Sequence, residues 1–232
     1  MSTVRLVDTG DGSHSLRNDA LNENYHSWHG AVTESRYVFV EAGVKEAFLL
    51  RDRIRVLEVG HGTGLNAALS LGYAREQGLA LDYAGLEPFP VPAELLRQIN
   101  YPSFFTDAEK DAFAALTDAS WDQETAWGEQ EHFIKIERGV QADFQGLLPA
   151  EWMPFDLVFY DAFGPEKQTE MWDKAIWKTC FDLLREGGIF VTYCAKGQVK
   201  RDLREAGFTV ETLPGPPGKR EMIRARKLPQ NA

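Results

Sequence analysis

From Ile54 onward the apolar residues change period several times. Continuous apolar runs bounded by Gly or Asp occur at IRVLEV (54–59), LDYAGLE (81–87), FDLVFYD (155–161) and GGIFVTYC (187–194). Between them lie stretches with helical spacing, GLNAALSLGYAREQ (64–77), PAELLRQIN (92–100) and TEMWDKAIWKTCFDLLRE (169–186). Short buried strands alternating with amphipathic helices predict an α/β fold, a mostly parallel sheet with helices on both faces. The C-terminal stretch REAGFTVETLPGPPGKREMIRARK (204–227) breaks the alternation: a helix end, a strand, a Pro/Gly turn and a second strand predict an antiparallel hairpin closing the sheet.

Two regions fall outside this pattern. VRLVDTGDGSHSLRN (4–18) predicts a β-hairpin turning at Gly10–Gly12, followed by a polar, aromatic loop that enters a helix. Residues 101–131 interrupt the third strand unit with aromatic and acidic residues. The expected organisation is one domain over 1–232, with an N-terminal extension at 1–45, a core at 46–232 and an insertion at about 101–131.

A chain of 232 residues, 44% hydrophobic, can build one sizeable core. No run approaches the roughly 20 apolar residues of a membrane span, and the first residues do not read as a signal peptide, so a cytoplasmic location is expected. Cys180 and Cys194 show no short metal or redox spacing and read as buried thiols. Net charge is −10, which argues against general nucleic-acid binding, yet residues 185–232 carry ten Lys or Arg against five Asp or Glu. That local excess, in Lys196, Lys200, Arg201 and Arg204 and again in Lys219, Arg220, Arg224, Arg226 and Lys227, suits either a defined polyanion contact or simple solvation.

The candidate chemistry starts at EVGHGTGLN (58–66). A strand ending at Glu58 passes through Gly60, Gly62 and Gly64 into an apolar helix, so a ligand can approach the backbone where free N–H groups and the helix dipole favour an anionic group. The alternative is a tight turn with no ligand. GTGLNA also fits a dinucleotide-binding pattern, a weak signal alone. Glu87, ending the next strand, is placed to accept both hydroxyls of a ribose. The acid before the glycines, the terminal hairpin and a further acid, Asp143, favour S-adenosylmethionine over NAD. Together these features resemble the class I methyltransferases, Rossmann-like proteins in which an acid at the position of Asp143 holds the adenine amino group; Asp143 equally suits a helix N-cap.

FDLVFYDAFGPEKQTEMW (155–172) then resembles the methyltransferase half of the MnmC family, as do ESRYVF (34–39), GGIFVTY (187–193) and GKREM (218–222). The resemblance implies transfer of a methyl group from S-adenosylmethionine to the aminomethyl group of a modified wobble uridine in tRNA, after an oxidase step that the bifunctional members supply from a flavin domain. With no such domain in view, no flavin and no metal are expected here, and a separate oxidase would act upstream. The resemblance assigns Glu58, Gly60, Gly62, Thr63, Gly64, Asn66, Glu87, Asp143 and Asp161 to the cofactor and Phe163, Pro165, Lys219 and Arg220 to the substrate. It places Tyr25, Glu34, Ser35 and Tyr37 over the cofactor as a lid. His61 departs from it, standing where the family carries Phe.

Asp161 is the candidate catalytic residue on two grounds. It matches the family motif, and an amine protonated at neutral pH needs a carboxylate beside the cofactor to take its proton; the competing role is a turn cap. His26 and His29 read as packing or capping residues, with no third ligand fixed nearby. Methylation of a small amine metabolite and cofactor binding without catalysis are the competing functions.

Overall fold

The computed structural model describes residues 4–229. In chain order the strands are β1 (Val4–Asp8), β2 (His14–Asn18), β3 (Glu23–Asn24), β4 (Arg53–Val59), β5 (Ala80–Leu86), β6 (Glu124–Ala126), β7 (Glu131–Ile136), β8 (Phe155–Tyr160), β9 (Leu184–Thr192), β10 (Thr209–Pro214) and β11 (Glu221–Arg226). The α-helices are α1 (Ala31–Ser35), which runs through a π-helical stretch (Arg36–Lys45) into α2 (Glu46–Phe48), then α3 (Leu65–Gln77), α4 (Ala93–Leu96), α5 (Asp107–Asp118), α6 (Lys174–Leu183) and α7 (Gly197–Glu205).

Eight strands form one sheet in the order β10-β11-β9-β8-β4-β5-β7-β6. The central five, β9 to β7, are parallel, and β11 pairs antiparallel with both β9 and β10, which is the expected terminal hairpin. The chain leaves β4 for β5 on one side and later returns to β8 on the other. The order therefore reverses at β4, and the crevice beyond the carboxyl ends of β4 and β8 is where such sheets bind ligands. One hydrophobic core packs α3, α5 and the helix over 31–48 against one sheet face, and a second packs α6 and α7 against the other.

Local details explain the boundaries. The stretch 169–186, expected as one helix, is split: a 3₁₀ turn (Thr169–Trp172) stops at Asp173, whose carboxylate caps the N–H of Ala175 at 2.8 Å and starts α6. The stretch 92–100 keeps only the short α4. The insertion contributes α5, opened by a capping box between Thr106 and Glu109, and the antiparallel edge strand β6, which the sequence pattern did not indicate. Glu109 also takes a two-pronged bond from Arg36 at 2.6 and 2.7 Å, tying the insertion to the N-terminal helix.

The N-terminal strands β1, β2 and β3 form a separate antiparallel sheet, turning at Thr9–Ser13. In that turn Asp11 accepts from the backbone N–H groups of Ser13 and Thr33, both at 3.0 Å, fastening the hairpin to α1. Burial alone would raise the Asp11 carboxyl, but the Ser13 and Thr33 donors win and hold it at about 2. Cys180 and Cys194 are both free and buried. No helix among the described residues is long and apolar enough to cross a membrane.

Candidate active site

A cavity of about 840 Å³ opens at the carboxyl ends of β4, β5 and β8. Its floor is the glycine turn. Gly60 and Gly62 have positive φ, 92° and 51°, which glycine adopts without penalty. A Cβ on Gly60 would lie 2.7 Å from the carbonyl oxygen of Asp161, so the two strand ends meet only because Gly60 has no side chain. Gly64 starts α3 without any side-chain cap, leaving N–H groups of the first turn to another acceptor.

Glu87 reaches over this turn. Its carboxylate accepts from Gly62 N–H and from Phe89 N–H, both at 3.0 Å, while burial pushes its pKa up. Tyr25 forms the opposite wall, with its ring edge-on to Phe163 at 5.0 Å between centroids. Burial, then the Glu87 charge, raises the Tyr25 hydroxyl to about 12. Pro88, Phe89, Met171 and Val140 complete an apolar lining.

Asp161 stands at the tip of β8, its N–H bonded to the carbonyl of Val59 at 2.9 Å. Burial, followed by the negative charges of Glu58 and Glu34, pushes its carboxyl well above the usual range; the Asn66 amide and Lys219 act the other way. The loop behind it is braced by two side chains. Tyr193 Oη donates to the Ala162 carbonyl at 2.9 Å and Trp172 Nε1 to the Phe163 carbonyl at 2.7 Å, which gives the Asp-Ala-Phe and Met-Trp parts of the motif one physical purpose.

Gly60, Gly62, Asn66, Glu87, Asp161 and Phe163 all line this cavity. Glu58 does not; it is wholly buried beneath the turn, bonded to His61 and Asn66. Thr63 and Gly64 face a smaller hollow of about 270 Å³ on the other side, where Thr63 Oγ1 lies 3.2 Å from Tyr101 Oη. Asp143 is exposed, off the lining, and caps no helix, the following 3₁₀ turn starting after Phe144. Pro165 is likewise off the lining. Glu34 is buried, accepts from Ser27 N–H at 2.8 Å and pairs with Lys219, whose ammonium sits 4.1 Å from the Tyr193 ring centroid.

The remaining cations of the tail are largely occupied. Lys196 pairs with Glu166, Lys200 with Glu221, Arg224 and Arg226 with Glu46 and Glu211, and Lys227 donates to the carbonyls of Phe181 and Leu184. Arg220 is exposed at the hairpin tip. His26 lines the cavity beside Ser15 and Tyr101, and burial lowers it to about 4. Among the described residues no cluster of His, Cys, Asp and Glu could hold a metal ion. Sequence reasoning missed His61 as a partner of Glu58; the signal available was a histidine three residues after an acid in a turn that forces the two together.

A model of an S-adenosyl-L-methionine-dependent methyltransferase family matches residues 131–228, which include β7, β8, Asp161 and the terminal hairpin. Over that C-terminal part the chain is similar to the S-adenosyl-L-methionine-dependent methyltransferases. The chain is 30% identical over 216 residues, 89% of its length, to the tRNA 5-methylaminomethyl-2-thiouridine biosynthesis bifunctional protein MnmC of Paraburkholderia xenovorans, and 29% identical to that of Actinobacillus pleuropneumoniae over all of its own length. It spans only 32% and 36% of those relatives. The crystal structure of MNMC2 from Aquifex aeolicus superposes with a TM-score of 0.78 at 27% identity, covering 100% of this chain and 73% of that one. A spermidine synthase from Thermotoga maritima shares the fold at a TM-score of 0.54 and 12% identity.

Proposed function

We propose that the chain transfers the methyl group of S-adenosylmethionine to the aminomethyl nitrogen of a modified wobble uridine in tRNA. The observation that carries this reading is Asp161, a carboxyl raised by burial at the switch point of the sheet and open to the cavity. Its setting makes it a stronger base than an ordinary aspartate, suited to take the proton of an acceptor ammonium. The names of the MnmC relatives and the likeness to MNMC2 support the tRNA substrate.

The residues present fit the cofactor. The side-chain-free turn, the uncapped start of α3 and the Glu87 carboxylate would hold the amino-acid and ribose parts, as we assign them, and S-adenosylmethionine when bound supplies an activated methyl group. Asn66 and Asp161 share this wall, with Glu58 acting from beneath rather than by contact. We leave Asp143 and Thr63 as weaker cofactor assignments, Asp143 requiring the loop after β7 to fold inward. Asp161 orients the acceptor nitrogen and holds the proton it gives up, Phe163 and Tyr25 bound the acceptor side and exclude water, and the Lys219–Glu34 pair closes the rim.

For the RNA itself we assign Arg220 and Trp28. Trp28 is 67% exposed, and the ring of the neighbouring His29 packs against Gly218 of the hairpin tip, so an aromatic face and a cation adjoin the same rim, a combination that stacks and steers single-stranded bases. The resemblance also implies an oxidase activity that supplies the aminomethyl group. Methylation of a small amine is the second reading, favoured by the ion-paired state of most terminal cations. Mass spectrometry of nucleosides from tRNA of a strain lacking the gene, with and without the purified protein and cofactor, decides between them. The expected result is an unmethylated aminomethyl nucleoside converted by the protein; a normal nucleoside profile in the deletion strain defeats the tRNA reading.

A further inference from the structure

A hydrogen-bonded row runs from beneath the glycine turn to Asp161. His61 Nδ1 lies 2.9 Å from Glu58 Oε2. Asn66 Nδ2 donates to Glu58 Oε1 at 2.9 Å and to Asp161 Oδ2 at 2.9 Å. Both N–H groups of the amide are thus spent on carboxylates, one on each, while Asn66 Oδ1 is buried without a hydrogen-bond partner. The opposite amide orientation would set an acceptor oxygen against two carboxylates, so the geometry fixes which way Asn66 points.

Glu58 has no exposed surface, and a carboxylate withdrawn from water remains charged only where donors replace the lost solvent. Asn66 supplies one donor and His61 another, and the Tyr83 hydroxyl also faces the carboxylate. The His61 ring is itself enclosed, lying edge-on to Trp121 at 6.0 Å and packed against Gly85, where a Cβ would stand 2.4 Å from Nδ1. This packing leaves the ring little choice but to present Nδ1 to Glu58.

We propose that His61 is a positioning residue for the methyl-transfer site: its bond holds the Glu58 carboxylate against the Asn66 amide, and through Asn66 the Glu58 charge is brought to bear on Asp161. The inference rests on the reading of Asp161 as the base. Without His61, the buried Glu58 carboxylate loses one of its donors, and the charge it brings to bear on Asp161 weakens. The other groups that bear on Asp161 remain as they are: Glu34 from α1, Lys219 from the hairpin tip, and Tyr83, Tyr101 and Tyr193 from β5, the insertion and the end of β9. None of these bonds to Glu58 and Asp161 jointly, as Asn66 does.

The test is an infrared titration of protonated carboxyls, in which the Asp161 band is identified by its loss in Asp161→Asn. In His61→Phe the Asp161 midpoint should fall by ~1 pH unit or more, about tenfold in proton affinity, as a Glu58 band appears. His61→Gln, which can donate without carrying charge, should restore the midpoint toward wild type. Glu58→Gln, which preserves the packing, should lower it as His61→Phe does and serves if that variant fails to fold. Turnover should fall in the same order while the affinity for S-adenosylhomocysteine is retained. An Asp161 midpoint unmoved in His61→Phe or Glu58→Gln overturns the inference even where Asp161→Asn is inactive. Wild-type turnover in Asp161→Asn instead overturns the reading of Asp161 as the base.

Discussion

At the tip of β8 the requirement of folding and the proton transfer we propose oppose each other in one side chain. Asp161 is raised above its ordinary value of 3.8, chiefly by burial and then by Glu58 and Glu34, so the folded state binds its proton more tightly than the unfolded chain does. The penalty is therefore absent below the unfolded value and grows as pH rises through the window between the unfolded and folded values. Asp161→Asn should melt at a higher temperature than the wild type near pH ~8 and at the same temperature near pH ~3, read by calorimetry. The same variant should lower single-turnover methylation by ~10²-fold or more with cofactor affinity unchanged; an unchanged rate would reduce Asp161 to a turn residue. Gly62 is the second residue-scale test. Its φ of 51° and the Tyr25 ring 3.2 Å from a would-be Cβ mean that Gly62→Val should abolish binding of S-adenosylhomocysteine and also cost ~1–3 kcal/mol of stability, because the backbone itself is strained.

The terminal hairpin separates what charge does in sequence from what it does in space. Read along the chain, β11 and the turn before it are basic; in the fold, Arg224 and Arg226 of β11 clasp Glu46 of α2 and Glu211 of β10, stitching the hairpin to the N-terminal helix. At the tip the two cations differ in their surroundings, Lys219 paired with Glu34 and Arg220 exposed. Arg220→Ala should lower the log–log salt slope of tRNA binding by ~0.7–0.9 while leaving turnover at saturating tRNA unchanged. Lys219→Ala removes the counter-charge of Glu34 and should raise Asp161 further, moving the pH dependence of turnover to higher pH at every salt concentration. Equal effects from both substitutions, measured by filter binding and single turnover, would count against this division. The same distinction limited the reading of the helices. Period alone joined Thr169 to Glu186, whereas the cap at Asp173 divides them, because a side chain that bonds its own backbone competes with helix continuation.

Across the whole molecule the candidate site is a property of strand order. Gly60 and Asp161 are a hundred residues apart in sequence yet touch, since β4 and β8 are neighbours at the point where the sheet reverses. A site so placed, floored by glycines and flanked by Glu87, should bind S-adenosylmethionine and S-adenosylhomocysteine with micromolar affinity and give no heat with NAD. Calorimetric binding of NAD with none of S-adenosylhomocysteine would refute the cofactor assignment.

The order of strands and helices, the glycine turn, the acids at the ends of three strands and the terminal hairpin all follow from local pattern, because period, turn chemistry and the Gly and Asp boundaries are set by residues close together in the chain. The Asp-Ala-Phe motif was legible in the same way. Which acids reach the ligand was not. Glu58 and Asp143 look alike as candidate cofactor acids, yet one is sealed in β4 beneath the glycine turn and the other is exposed in the loop after β7. The pairing of the basic tail, the bracing of the Asp161 loop by Trp172 and Tyr193, and the row from His61 to Asp161 join distant segments. Burial and bonding between such segments depend on how helices and loops pack over the sheet, so only the tertiary structure could decide them.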